Sequence, residues 1–225
     1  MDNLIAYLPL LLQGLQMTIL LAVSTVAIGL VLGILLALAK LSHHAWLSKP
    51  TYAVTNFLRG IPEFLVLLVI YFGGTQFLND LFPDAGLQVS PFGAGLTALS
   101  IIFGAYASET FRGAFQAVQK GQIEAARAYG FTGWQTFRHI QMPQIWRIAI
   151  PSLGNLWQGS VKDTSLVSIV GLDDLMRKAN QATQTTGQAF TFYFAASVMF
   201  LIITLVSMAA IGALEKRANR GVRRT

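Results

Sequence analysis

Three carboxylates occupy positions where a charge is costly. Glu63, Glu109 and Asp163 fall in stretches otherwise apolar enough to cross a membrane, where a charged side chain costs about 2.5–3.5 kcal/mol on insertion scales. A carboxylate kept at such a position faces the bundle interior or a wet cavity, and a cavity carrying it attracts a cationic solute. Local pairing is the competing reading. Glu63 lies four residues after Arg59 and Glu109 three before Arg112, both helical spacings that allow an ion pair. Lys162 and Asp163, as sequence neighbours, point in different directions and are expected to pair elsewhere. Other chemistry finds no footing. No lysine follows a glycine and precedes Ser or Thr, so a G-x-x-x-x-G-K-[ST] phosphate cradle is absent, as is H-E-x-x-H. His43 and His44 are adjacent in a short polar loop and His139 stands alone, which reads as solvated anchors rather than metal ligands. Cysteine is absent, which removes disulfides and thiolate metal sites. No nucleophile–base arrangement is present.

A second constellation is polar and lies between two apolar blocks: Glu124-Ala125-Ala126-Arg127-Ala128-Tyr129-Gly130, followed by Ile140-Gln141-Met142-Pro143. Glu124 to Arg127 are helix formers, and Ala125, Ala128 and Tyr129 give a small, smooth face. Gly130 supplies a break where a Cβ would be strained, and Pro143 sets the entry to the next apolar block. A short rigid helix of this kind suits a helix-in-groove contact with a partner; the plainer reading is a surface helix between spans.

The elements that must position these residues follow from composition and run length. Only 12% of the chain is charged against 54% hydrophobic, which fits an all-α integral membrane protein rather than a soluble domain. A span needs about 20 apolar residues. About five are expected, near residues 10–39, 52–77, 92–111, 146–170 and 189–214, in one domain over 1–225, with a polar connection at 112–143. The stretch Leu4 to Leu12 reads as a short helix lying in the membrane interface. The second span carries Arg59-Gly60-Ile61-Pro62-Glu63 and is expected to kink or unwind there. Asp173, Asp174, Arg177 and Lys178 read as a loop. Gly29, Gly33, Ala37 and Ala39 read as positions of close helix approach. The first 39 residues hold no Lys or Arg, so a cleaved signal peptide is not expected.

Lysine and arginine placement sets the orientation. With the N-terminus outside and the C-terminus in the cytoplasm, the inner side collects Lys40, Lys49, Arg59, Arg112, Lys120, Arg127, Arg138, Arg147 and the basic tail with Lys216, Arg217, Arg220, Arg223 and Arg224. The outer side keeps Arg177 and Lys178. The formal net charge of +6 is then explained by anchors facing anionic lipid, with no nucleic-acid partner.

The polar segment resembles the "EAA" signature of ABC-importer permeases, E-A-A, three residues, G, nine residues, I, one residue, L-P, with Met142 at the Leu position, a swap that keeps volume and apolarity. The resemblance extends over nearly the whole chain through Arg59 to Leu68, Gly104 to Phe115, Gly154 to Trp157 and Lys162 to Ser168. It is similar to the polar amino-acid uptake family, on the histidine/arginine/lysine/ornithine and opine branch, where Glu63 matches an acidic residue after the R-G-x-P turn. The resemblance implies the type I, MetI-like permease fold in a bacterial inner membrane. It implies a second permease subunit, identical or paralogous, and a cytoplasmic ATPase dimer that binds the ATP and magnesium, leaving this chain without a cofactor. It also implies a periplasmic or lipid-anchored solute-binding protein. Glu124, Ala125, Ala126, Gly130, Ile140 and Pro143 would carry the ATPase coupling. Glu63, Glu109 and Asp163 are the substrate-pathway candidates. A self-contained channel or secondary transporter, a permease for another polar amino acid, and a non-transporting adaptor are the alternatives.

Overall fold

The computed structural model describes residues 2–219, so Arg220, Arg223 and Arg224 of the basic tail lie outside the described residues. Helix α1, Asp2–Lys40, is one uninterrupted helix. The separate interfacial helix expected over Leu4–Leu12 does not form, because Pro9 is accommodated inside α1 and the apolar run continues through it. A short loop leads to α2, Ala45–Gly60. Residue 61 precedes a proline, which drives it to extended backbone. Ile61 has φ −104° and ψ 148° and ends α2 at Gly60, so the expected break falls there. The chain then resumes as α3, Glu63–Leu68, a π-helical turn over Val69–Gly73, and α4, Gly74–Leu81.

Helix α5, Pro91–Ala117, starts with Pro91 in its first turn, and the Ser90 hydroxyl accepts from the Gly93 amide at 3.0 Å. The polar connection contains α6, Lys120–Ala128, and α7, Gly133–Thr136. A π-helical turn over Phe137–Gln141 leads from α7 into α8, Met142–Asp163. A tight 3-10 stretch, Thr164–Val170, follows α8. The segment read as a loop around Asp173–Lys178 is instead largely helix α9, Leu175–Thr186, capped by the Asp174 carboxylate on the Arg177 amide at 2.9 Å and stopped by Gly187 at φ 72°. Its polar composition hid it from a search for apolar runs. Helix α10, Ala189–Ala218, closes the fold.

Among the described residues, four helices are long and apolar enough to cross a membrane: Asn3–Lys40, Glu63–Leu81, Pro91–Ala117 and Ala189–Ala218. The stretch expected as the fourth of five spans is α8 with its 3-10 continuation. Within residues 146–170 it carries Arg147, Asn155, Lys162 and Asp163, and α8 packs against both α5 and α10.

Helices α1 and α5 run parallel. The Ser100 hydroxyl donates to the Thr25 carbonyl at 3.4 Å, and Lys40 reaches Ser108. Their approach depends on missing side chains. A Cβ on Gly29 would lie 2.6 Å from Phe103, and one on Gly33 would lie 2.7 Å from the Cβ of Ala107. Ala37 is fully buried, while Ala39 is half-exposed. Gly33→Val is therefore expected to force α1 from α5 and cost about 1–3 kcal/mol, read as a lower melting temperature of the detergent-solubilised protein.

The bundle has two chemically different ends. One carries the start of α1, where Tyr7 meets Phe192 edge-on at 5.5 Å, together with α9. The other carries the end of α1, the α6–α7 connection and the end of α10. Lys40, Arg112, Lys120, Arg127, Arg138 and Arg147 sort to that second end, in the pattern that sequence reasoning assigned to the cytoplasmic face.

Candidate functional site

Two places on the chain combine defined geometry with unsatisfied chemistry. The first is the α6–α8 surface. Helix α6 ends in a Schellman turn: the Phe131 amide donates to the Ala126 carbonyl at 3.0 Å and the Gly130 amide to Arg127 at 2.9 Å, with Gly130 at φ 81°. Two residues on, a capping box restarts the helix. The Gln135 amide donates to the Thr132 hydroxyl at 3.3 Å, and the Thr132 amide donates to Oε1 of Gln135 at 2.8 Å. The two caps fix the angle between α6 and the helix that runs on into α8. Gln144 secures it by donating to Gln122 at 2.6 Å.

The result is a concave surface of about 670 Å³ that includes Ala125, Ala126, Tyr129, Ile140 and Pro143. Gly130 is absent from the lining and makes the turn beneath it. Glu124 is exposed on α6, outside the concavity. Tyr129 stands out from its rim at 86% exposure. A small-residue floor, an exposed aromatic and two caps make a preformed concave surface.

The second place is a cavity of about 190 Å³ beside the middle of α5. It unites Glu63 and Asp163, which are separated by 100 positions in the chain, with Tyr106, Asn155 and Ser160 over an apolar floor that includes Phe103. Among the described residues neither carboxylate has an ion-pair partner. The Arg59–Glu63 pair does not form because the extended Ile61–Pro62 unit separates the two helices. Arg59 lies over the Tyr106 ring instead, 5.2 Å from its centroid. Lys162 is exposed while Asp163 is half-buried, so the two neighbours diverge, but the ion pairs expected for them elsewhere do not form among the described residues. The Ser160 hydroxyl is buried with no hydrogen-bond partner, which leaves an unmet polar group beside two unpaired carboxylates. Tyr106, Asn155 and Ser160 were not singled out from sequence. Ser160 sits three residues before Asp163, nearly one helical turn away, and that spacing was the available signal.

Glu109 is not part of this cavity. It accepts from Lys40 Nζ at 2.7 Å and from Arg112 at 2.7 Å, and Lys40 also donates to the Ser108 hydroxyl at 2.8 Å. The Lys40 side chain, read from sequence as part of a polar loop, is fully buried, and Tyr52 offers its ring 5.4 Å away. The expected local pair with Arg112 is present, enlarged into a clasp joining α1, α2 and α5. Glu109→Gln leaves the Lys40 ammonium buried and uncompensated. The expected loss is about 3–5 kcal/mol of stability, seen as a fall in melting temperature, with no change in preference between cationic and neutral solutes.

At the opposite end of the bundle, burial pushes the Asp174 carboxyl up to about 6, while the hydrogen bond from Lys178 holds Asp173 below the usual carboxylate range. These groups cap and brace α9, outside both places described above.

Comparison with known proteins places the chain as a whole among membrane transport components. The sequence profile of the family described as "Binding-protein-dependent transport system inner membrane component" matches residues 29–220. The chain is 42% identical over 214 residues to the arginine ABC transporter permease protein ArtQ of Haemophilus influenzae, covering 95% of this chain and 96% of that one. It is 42% identical to the nopaline transport system permease protein NocQ of Agrobacterium fabrum, covering 94% and 92% respectively. A crystal structure of an amino acid ABC transporter with histidines superposes with a TM-score of 0.84 at 33% identity, covering 95% of this chain and 96% of that chain.

Proposed function

The chain belongs to the family of binding-protein-dependent transport system inner membrane components, and from that premise we propose that it is the permease subunit that carries a basic amino acid or an opine through an ATP-driven importer. Family membership brings an ATPase and a binding protein as partners. The observation that carries the proposal is the cavity in which Glu63, Asp163 and the unpartnered Ser160 hydroxyl converge. A cationic side chain entering there meets two unneutralised carboxylates in a region of low dielectric, where attraction is stronger than in water.

The α6–α8 concavity is the docking surface for the ATPase. Ala125, Ala126, Ile140 and Pro143 form the contact, Gly130 sets its angle, and Glu124 lies on its outer face. Closure of the ATPase dimer on ATP pulls this rigid surface, and α8 carries the displacement to Asp163 at its far end. The transmembrane bundle then rocks between inward-open and outward-open states. The N-terminus lies outside, the C-terminus lies in the cytoplasm, and a second permease, identical or paralogous, completes the pathway.

Affinity purification of the detergent-solubilised complex, with its companions identified, tests the assembly. A nucleotide-hydrolysing subunit and a second permease chain are expected in stoichiometric amounts. Recovery of this chain alone, with cross-links from Tyr129 to no ATPase, would overturn the docking role.

A further inference from the structure

We propose that a crevice between α1, α8 and α10 is a binding site for an anionic glycerophospholipid. Helix α10 touches α8 tightly at Gly154, where a Cβ would lie 2.7 Å from Ile211, and meets α1 near its start through Phe192 and Tyr7. Between these contacts it stands off α1. Two cavities result, of about 340 Å³ and about 360 Å³, and they share Trp157 and Ser207 at the point where they meet.

The lining chemistry selects a hydrocarbon. Val26, Leu30, Ile150, Leu153, Ile211 and Leu214 surround the first cavity, and Leu15, Ile19, Val161 and Ile202 line the second. The hydroxyls that reach them are already engaged. Ser207 donates to the Ile203 carbonyl at 2.7 Å, and Thr18 accepts from the Leu175 amide at 3.1 Å. On α8 the first cavity runs from Trp146 to Trp157, about 16 Å at about 1.5 Å per residue. That is about the depth of one leaflet in a hydrocarbon core of about 30 Å. An acyl chain of that leaflet fills it end to end.

The mouth of this cavity is basic. Arg147 lies one turn before Ile150 on α8, and Arg217 lies one turn after Leu214 on α10, both on the cavity side by helical register. Neither has an ion-pair partner among the described residues. Trp146, next to Arg147 in the chain, lines the same cavity, and an indole suits the membrane interface. An alkyl-lined slot with two free guanidinium groups at its leaflet end matches a lipid phosphate of negative net charge.

The test uses the assembled complex in nanodiscs with diazirine-bearing phosphatidylglycerol or phosphatidylcholine, followed by peptide mapping. Labelling is expected to concentrate on residues 146–157 and 207–214 and to favour phosphatidylglycerol by about fivefold per arginine engaged. Ala210→Trp fills the slot and is expected to remove the labelling of both lipids. Arg147→Gln with Arg217→Gln changes two mouth residues outside the bundle core and is expected to abolish the preference while labelling persists. Equal labelling by the two lipids in the unaltered chain would overturn the proposal. So would labelling spread evenly onto the Val69 and Phe72 face, or a headgroup preference that survives the double substitution.

Discussion

Gly130→Val is expected to release the ATPase while leaving the chain inserted in the membrane. The residue sits at φ 81° and nothing lies within 4 Å of a Cβ placed there, so the cost is conformational rather than steric. A β-branched residue in the left-handed region loses about 1–2 kcal/mol, and the turn responds by giving up its paired hydrogen bonds to Ala126 and Arg127. The angle between α6 and α8 is then no longer fixed. At about 1.4 kcal/mol per tenfold, co-purification of the ATPase is expected to fall by about tenfold, with solute-stimulated ATP turnover falling alongside. Gly130→Asn separates backbone geometry from side-chain bulk, because asparagine tolerates the left-handed conformation; it is expected to retain most of the association. Equal losses for the two variants, or none for valine, would remove the turn from the coupling mechanism.

The second large effect concerns solute charge. Glu63→Gln and Asp163→Asn keep shape but exchange one acceptor oxygen for an amide donor and remove a negative charge from the cavity they share with Ser160. A charge-assisted hydrogen bond contributes about 1.5–3 kcal/mol, so each substitution is expected to reduce uptake of a basic amino acid by roughly tenfold to a hundredfold. Uptake of a neutral polar amino acid by the same complex is expected to change far less. Glu109→Gln supplies the contrast. Its charge belongs to the Lys40–Arg112 clasp, so it lowers stability without altering selectivity. Equal impairment of basic and neutral solutes by Glu63→Gln would remove the charge argument.

Features set by a single local signal were legible in the sequence. The break at Ile61–Pro62, the turn at Gly130 and the close approaches at Gly29 and Gly33 each follow from the stereochemistry of one or two residues. The acidic cavity was half legible. Glu63 and Asp163 were conspicuous as charges in apolar stretches, but their meeting with Tyr106, Asn155 and Ser160 depends on how α3, α5 and α8 pack. Glu109 could not be sorted from them without structure, because the partner that claims it, Lys40, is 69 residues away. Burial of Lys40 runs against its hydrophilic character and is possible only because Glu109, Ser108 and the Tyr52 ring surround it. Helix α9 was missed for the opposite reason. Its polar composition resembles a loop, although Asp174 at one end and Gly187 at the other carry ordinary helix start and stop signals.

The most direct measurement of the account is uptake of a radiolabelled basic amino acid into proteoliposomes. They would contain this chain, its companion permease and the ATPase, with the solute-binding protein supplied on the opposite side. Uptake is expected to require ATP, to vanish when the ATPase is omitted, and to persist when an ionophore collapses the proton gradient. Uptake that continues without the ATPase, or that stops with the proton gradient while ATP is present, would contradict it.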